Sequence, residues 1–204
     1  MGLLAALFRR GRRRHERAGF ALYAAAVAAA RRPVFYTGFA VADTLDGRFD
    51  LVGLHAFLAI ERLRAAEPPG PDLAQAVFDA MFADMDVTLR EIGVGDLSVG
   101  KKMRTMWEAF HGRAQAYGAA LRAADPVAAL SEALARNVWR SAAPADAAAS
   151  GCAVALARYV LTAAEALAAQ PIAALCRGEI VFPVAIAPER RSAGAESLKP
   201  EAVP

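Results

Sequence analysis

Phe78–Tyr117 reads FDAMFADMDVTLREIGVGDLSVGKKMRTMWEAFHGRAQAY, and the spacing of its apolar residues decides the fold. Phe78, Met81, Phe82, Met85, Leu89 and Ile92 recur three or four apart, which puts them on one side of a helix over Leu73–Ile92. Gly93 and Gly95 interrupt the pattern, as glycine does just past a helix C-terminus. It resumes at Val99, Met103, Met106, Trp107, Phe110, Tyr117 and Leu121, a second helix that Asp96 or Ser98 is placed to cap. Methionines and aromatics on both stripes suit a plain core, and they also suit a groove that adapts to a foreign apolar segment.

The flanking sequence extends the helical pattern. Phe20–Arg32 reads as a helix ended by Arg31-Arg32-Pro33. Pro33–Asp50 shows no helical period; Asp46-Gly47 is a turn signal, and Asp50 stands where a cap for the next helix belongs. Leu51, Leu54, Leu58 and Leu63 then give a helix over Leu51–Glu67, stopped by Pro68-Pro69-Gly70, with Asp72 as a candidate cap for the one after. Asp125-Pro126 is a cap followed by proline at the first helical position, opening Val127–Trp139. Ser141–Ser150 is a small-residue linker, Ala153–Ala169 a helix, Pro171 a break, and Ile180–Pro183 an extended stretch. The expectation is an all-α protein. A single irregular bundle of about seven helices spans residues 18–187, with a basic amphipathic arm over 1–17 and a disordered tail over 188–204.

Composition bounds the function. The 204 residues suffice for one well-buried domain, and 56% apolar content excludes a disordered chain. Residues 1–32 hold eight arginines and one glutamate, about +7, so the remainder sits near −4 to reach the formal net charge of +3. Basic character therefore belongs to the arm, where Arg9, Arg10, Arg12, Arg13, Arg14 and Arg17 follow the apolar Met1–Phe8. An apolar wedge with a cationic collar suits an anionic membrane surface or nucleic acid. The longest apolar run, Ala18–Ala30, has 13 residues and falls short of the roughly 20 needed to cross a bilayer. A secretory leader fits poorly, because Arg31-Arg32 follows at once and Met1–Phe8 is apolar where the leader wants charge. Ala6 stands where a myristoylation motif wants Ser or Thr. Cys152 and Cys176 form neither a disulfide framework nor a metal motif and are expected to be buried in a reducing compartment.

No motif carries catalysis. Gly95–Lys101 has GxxxxGK spacing, but Lys102 replaces the magnesium-binding hydroxyl and a helix replaces the required strand. Asp79, Asp84 and Asp86 do not share one helix face, and Asp86 and Arg90 stand four apart, as a surface ion pair requires. His15, His55 and His111 lack metal-ligand companions, and His55 reads as a satisfied core histidine. No GxSxG elbow occurs.

PVFYTGFAVADTLDGRFDLVGLHAFLAIERL, the quoted hairpin and ALARNVWR together resemble the ubiquinol–cytochrome c chaperone family over roughly Pro33–Arg140, with a weaker echo at Ile180–Pro183. The resemblance implies a helical, non-enzymatic assembly factor for the cytochrome bc1 complex, escorting newly made cytochrome b. It also implies a small partner protein or the ribosome as possible associates. No cofactor and no DNA partner are expected. A cytoplasmic position peripheral to the inner membrane follows if the arm contacts lipid. An RNA- or ribosome-binding adaptor working through the arm is the alternative, and a helical enzyme acting on a lipid or isoprenoid is a third reading. Client contacts are expected in an apolar or mixed groove near Asp46–Asp50 and Gly93–Lys102. The candidate polar residues are Asp46, Arg48, Asp50, Asp84, Arg90, Asp96, Lys101, Lys102, Arg104 and Arg113.

Overall fold

A computed structural model describes residues 2–140 and 147–188, with side chains for 15–140 and 151–188. Apart from Pro188, the expected tail lies outside the described residues, as do linker residues 141–146 and the side chains of Arg9, Arg10, Arg12, Arg13 and Arg14. The elements are α1 (Gly2–Ala30), α2 (Pro33–Thr37), α3 (Leu45–Arg64), α4 (Gly70–Glu91), α5 (Asp96–Leu121), α6 (Pro126–Val138), α7 (Ala147–Ala168) and α8 (Ile172–Leu175). All are helical, and the described residues contain no strand. The all-α expectation therefore holds, with six long helices and two single turns.

α3 is the centre of the bundle, in contact with α1, α4, α5, α6 and α7. Its sequence explains this, because every residue from Leu54 to Ile60 is buried and a helix apolar all round must be surrounded. α1 lies against α4 and α3 through alanines, with Ala18, Ala26, Ala29 and Ala30 buried. At the α1–α4 crossing the backbones approach so closely that a Cβ on Gly19 would sit 2.7 Å from Ala76. α6 and α7 pack as a pair on the far side, where Leu130, Leu134, Leu156 and Val160 fill the core.

Several local expectations change. Asp46-Gly47 is not a turn. Thr44 caps α3, its hydroxyl accepting from the Gly47 amide at 3.2 Å, so both residues fall in the first helical turn and Asp50 lies inside the helix. Pro33–Thr37 forms one helical turn, too short to show a period, with Phe35 buried. Asp72 lies within the first turn of α4, and Pro69 holds the cap position. Gly95 caps α5, and neither Asp96 nor Ser98 does. Asp125 does cap α6, accepting from the Ala128 amide at 3.0 Å. Gly93 ends α4 at φ +83°; its amide bonds Arg90 O and the Val94 amide bonds Leu89 O, a Schellman ending that only glycine enters without strain. Cys152 is buried, whereas Cys176 is half-buried, and no disulfide joins them.

Two further segments bear on the site. α7 is long and apolar enough over Gly151–Ala168 to cross a membrane by length and composition, with mean hydropathy 1.4, although Arg158 and Glu165 interrupt its apolar run. Leu156, Ala157, Val160, Ala163 and Leu167 are nonetheless buried within the bundle. After α8 the chain runs from Glu179 to Pro188 with no helix or strand, and the Gln170 side-chain amide bonds both the N–H and the carbonyl of Val181 at 3.0 and 2.7 Å.

Candidate functional site

Where the start of α3 meets the end of α4 and the first half of α5, the bundle leaves an open cleft of about 580 Å³, reached also by Tyr23 of α1 and by Arg31 just past it. The geometry follows from the hairpin. Phe78 and Phe82 turn toward Phe110 of α5, with ring centroids 5.8 and 6.4 Å apart, and hold the two helices together in their middle. Toward the α4–α5 turn the start of α3 faces these two helices across the cleft. The apolar wall there consists of Phe49, Val52, Met85, Leu89, Ile92 and Met106. Met85 and Leu89 are buried, Met106 is half-buried and Ile92 is exposed, so the wall grades from core to solvent.

A charged cluster closes the α3 end. The Asp50 side chain is only 1% exposed, and Arg140 donates to its Oδ2 at 3.0 Å. Arg113 sits 2.9 Å from Oδ1 as an ion pair without an aligned N–H. Burial pushes the Asp50 carboxyl up to about 6, and Arg113 and Arg140 pull it back down. Arg140 also reaches Asp46 at 3.3 Å, and the Arg113 guanidinium lies 5.6 Å from the Phe49 ring centre. Arg140 stands just past α6 at φ +53°, the left-handed conformation usually left to glycine. Beside it, Trp139 Nε1 donates to Ala40 O at 3.3 Å, and Ala40 is itself at φ +55°. Two strained residues thus clasp the α6 exit to the loop before α3, which places a guanidinium over a buried carboxylate.

The candidate polar residues divide into two groups. Asp46, Arg48, Asp84, Lys102 and Arg113 line the cleft, with Asp50 beneath them. Asp84 accepts from the Tyr23 hydroxyl at 2.7 Å, which ties α4 to α1 and, after burial, helps hold the Tyr23 hydroxyl above its usual range. Arg48 is held by Asp43 at 2.6 Å. Arg90, Asp96, Lys101 and Arg104 do not line it. Arg90 is paired with Asp86 and Asp96, and Arg104 bonds Glu108 at 2.9 Å, so these cations are engaged along the hairpin tip. Arg17, the one residue of the cationic arm set with a described side chain, is exposed on α1. Sequence reading missed Tyr23, Arg31 and Arg140. Arg140 falls inside the recognisable ALARNVWR block, which was the available signal.

Asp79, Asp84 and Asp86 do not converge: Gln75 donates to Asp79 at 2.7 Å, Tyr23 to Asp84, and Arg90 to Asp86 at 2.8 Å. Among the described residues no three His, Cys, Asp or Glu side chains are grouped to hold a metal. His55 is fully buried between Leu51 O at 2.8 Å and the Tyr159 hydroxyl at 2.9 Å, as a satisfied core histidine would be. The P-loop-like Gly95–Lys101 spans the cap and first turn of α5.

These features define a class: an all-α bundle with an open cleft, apolar on its walls and charged at its rim. The family model of the ubiquinol–cytochrome C chaperone matches residues 37–182, and the chain belongs to that family. A crystal structure of the Cbp3 homolog from Brucella abortus is similar, with a TM-score of 0.76 and 38% identity over 90% of this chain and 98% of that one. No curated protein sequence matches.

Proposed function

We propose that this chain is an assembly chaperone of the cytochrome bc1 complex that holds an apolar segment of newly made cytochrome b in the α1–α3–α4–α5 cleft. The carrying observation is the cleft itself, in a member of a chaperone family: a graded wall of Met85, Leu89, Ile92 and Met106 beside a rim of Arg31, Arg48, Lys102 and Arg140. Methionine and leucine repack around varied apolar side chains, and the cationic rim complements carboxylates or phosphates at the end of a membrane segment. Work on such a client belongs at the cytoplasmic surface of the inner membrane. Arg9, Arg10, Arg12, Arg13, Arg14 and Arg17 would add attraction of about 1 kcal/mol each to anionic lipid.

Deleting the gene should lower cytochrome b and bc1 activity, and a variant with Met106→Lys and Ile92→Lys should fail to restore them while melting like the parent. Recovery of cytochrome b with tagged protein from solubilised membranes should fall with the same pair. Normal cytochrome b in the deletion strain sinks the proposal; full rescue by the double variant removes the cleft from it.

A further inference from the structure

Helix α1 carries a second surface that the cleft does not use. Arg17, Phe20, Ala24, Ala28 and Arg31 recur at three-or-four spacing and all are exposed, so they form one stripe facing solvent. The Glu179–Pro188 strap starts beside the Ala18–Ala21 turn of α1 and passes Arg32 just beyond the helix end. Gly178 rests on Ala18 and Ala21, Arg32 donates to Phe182 O at 3.2 Å and also to Pro183 O, and Ala187 meets Gly38. Phe182 and Ala185 point inward, while Val181, Val184 and Ile186 stand 71, 78 and 84% exposed. The outward aliphatics of the strap and Phe20 of α1 are thus exposed on two elements that meet at Ala18, Ala21 and Arg32, with arginines at both ends of the helical stripe.

We infer that this stripe and strap form one face that lies on an anionic lipid bilayer, with Phe20, Val181, Val184 and Ile186 seated at the headgroup–acyl boundary. Charge argues for lipid as the occupant: α1 itself holds six arginines and one glutamate, about +5, with Arg31 just past its end. Glu179, the acidic residue at the start of the strap, is neutralised by Arg177 at 2.7 Å. Arg31 belongs both to the stripe and to the cleft rim, so a protein lying on this face opens its cleft beside the bilayer plane. The inference rests on the membrane-surface part of the proposed function and extends it from the arm to the folded domain.

The test is partitioning of the full chain onto phosphatidylcholine vesicles with and without phosphatidylglycerol. The parent should bind the anionic vesicles. A variant with Val181→Ser, Val184→Ser and Ile186→Ser should bind about tenfold more weakly or worse, with unchanged melting because these side chains pack on little. Phe20→Ser is a second variant on the other ridge and should also weaken binding. No binding by the parent, or equal binding by the triple variant, overturns the inference and leaves any attraction to the arm. So does a parent that self-associates through these residues without vesicles while vesicle binding stays unchanged by the variant, since the face is then a contact between copies. Client recovery in detergent separates the two claims. The triple variant should still recover cytochrome b there, and a parent that recovers none while its vesicle binding depends on the strap refutes the cleft and keeps the face.

Discussion

Two buried ionisable groups, Asp50 and His55, lie five positions apart on α3 and titrate in opposition. Burial raises the Asp50 carboxyl from 3.8 to about 6. Burial lowers the His55 imidazole from 6.5 to about 4, against the help its protonated form would get from the Leu51 carbonyl. A group whose folded value is raised gives stability below the unfolded value and loses it as pH rises through the folded one. Asp50 therefore favours the folded state below 3.8 and withdraws that favour by about 6. A group whose folded value is depressed does the reverse. His55 gives its stability above 6.5 and loses it as pH falls toward 4. At about 1.4 kcal/mol per pH unit, each gap amounts to about 3 kcal/mol. Between pH 4 and 6 the two slopes have opposite sign and nearly cancel. Asp43, Asp86 and Glu179, whose carboxyls are lowered by Arg48, Arg90 and Arg177, are solvent-exposed partners that titrate below most of this window.

The perturbation is to remove one group at a time. Asp50→Asn keeps the shape and abolishes the ionisation, so the histidine acts alone. Unfolding free energy should then fall by about 1.4 kcal/mol for each pH unit between 6 and 4. His55→Gln keeps a partner for the Tyr159 hydroxyl and leaves the aspartate acting alone, so stability should rise by a similar amount as pH falls over the same range. The parent should be nearly flat. Urea unfolding followed by circular dichroism at several pH values reads all three profiles. Parallel profiles in the two variants would refute the opposed titration, and with it the claim that burial outweighs the two guanidinium contacts at Asp50.

Three further outcomes are expected. Arg140→Gly relaxes the left-handed φ but removes both carboxylate contacts, so it should be net destabilising and should carry the stability loss associated with Asp50 to higher pH in the same unfolding series. Leu156→Ala, at a fully buried position of α7, should cost about 2–5 kcal/mol in chemical denaturation and leave cytochrome b recovery at permissive temperature unchanged, because it lies away from the cleft. Asp125→Ala removes the α6 cap and should cost about 1 kcal/mol by the same measurement, with Asp125→Gly costing less.

The hairpin was legible because two long amphipathic stripes with a glycine turn leave little freedom: three-or-four spacing sustained over about twenty residues has one structural solution. Short segments were not legible, for local reasons. One turn of helix at Pro33–Thr37 repeats no pattern. Asp46-Gly47 carries the composition of a turn, and only the Thr44 hydroxyl, bonded to the Gly47 amide, converts it into the opening of α3. The apolar stripe on α4 is divided among three neighbours. Met81 and Met85 enter the core, Leu89 is buried in the cleft wall, Phe78 and Phe82 serve the α5 contact, and Ile92 reaches the cleft mouth.

The polar part of the cleft resists sequence reading for a deeper reason. Asp50 looks like a cap because aspartate beside a helix start usually is one. Thr44 takes the cap, and Asp50 inside the helix is instead partnered by Arg140, 90 positions away at the α6 exit, and by Arg113 of α5. Ion pairs between distant elements depend on where the ends of helices land, and α6 ends here without the glycine that would have marked its exit. An arginine held at positive φ costs backbone free energy that a glycine would not, so the position must be compensated by what its side chain does. It spans Asp46 on the cleft rim and Asp50 beneath it. The α6 exit is thereby coupled to the wall of the cleft, and a client that competes for Asp46 would loosen the same clasp that holds the start of α3 in place.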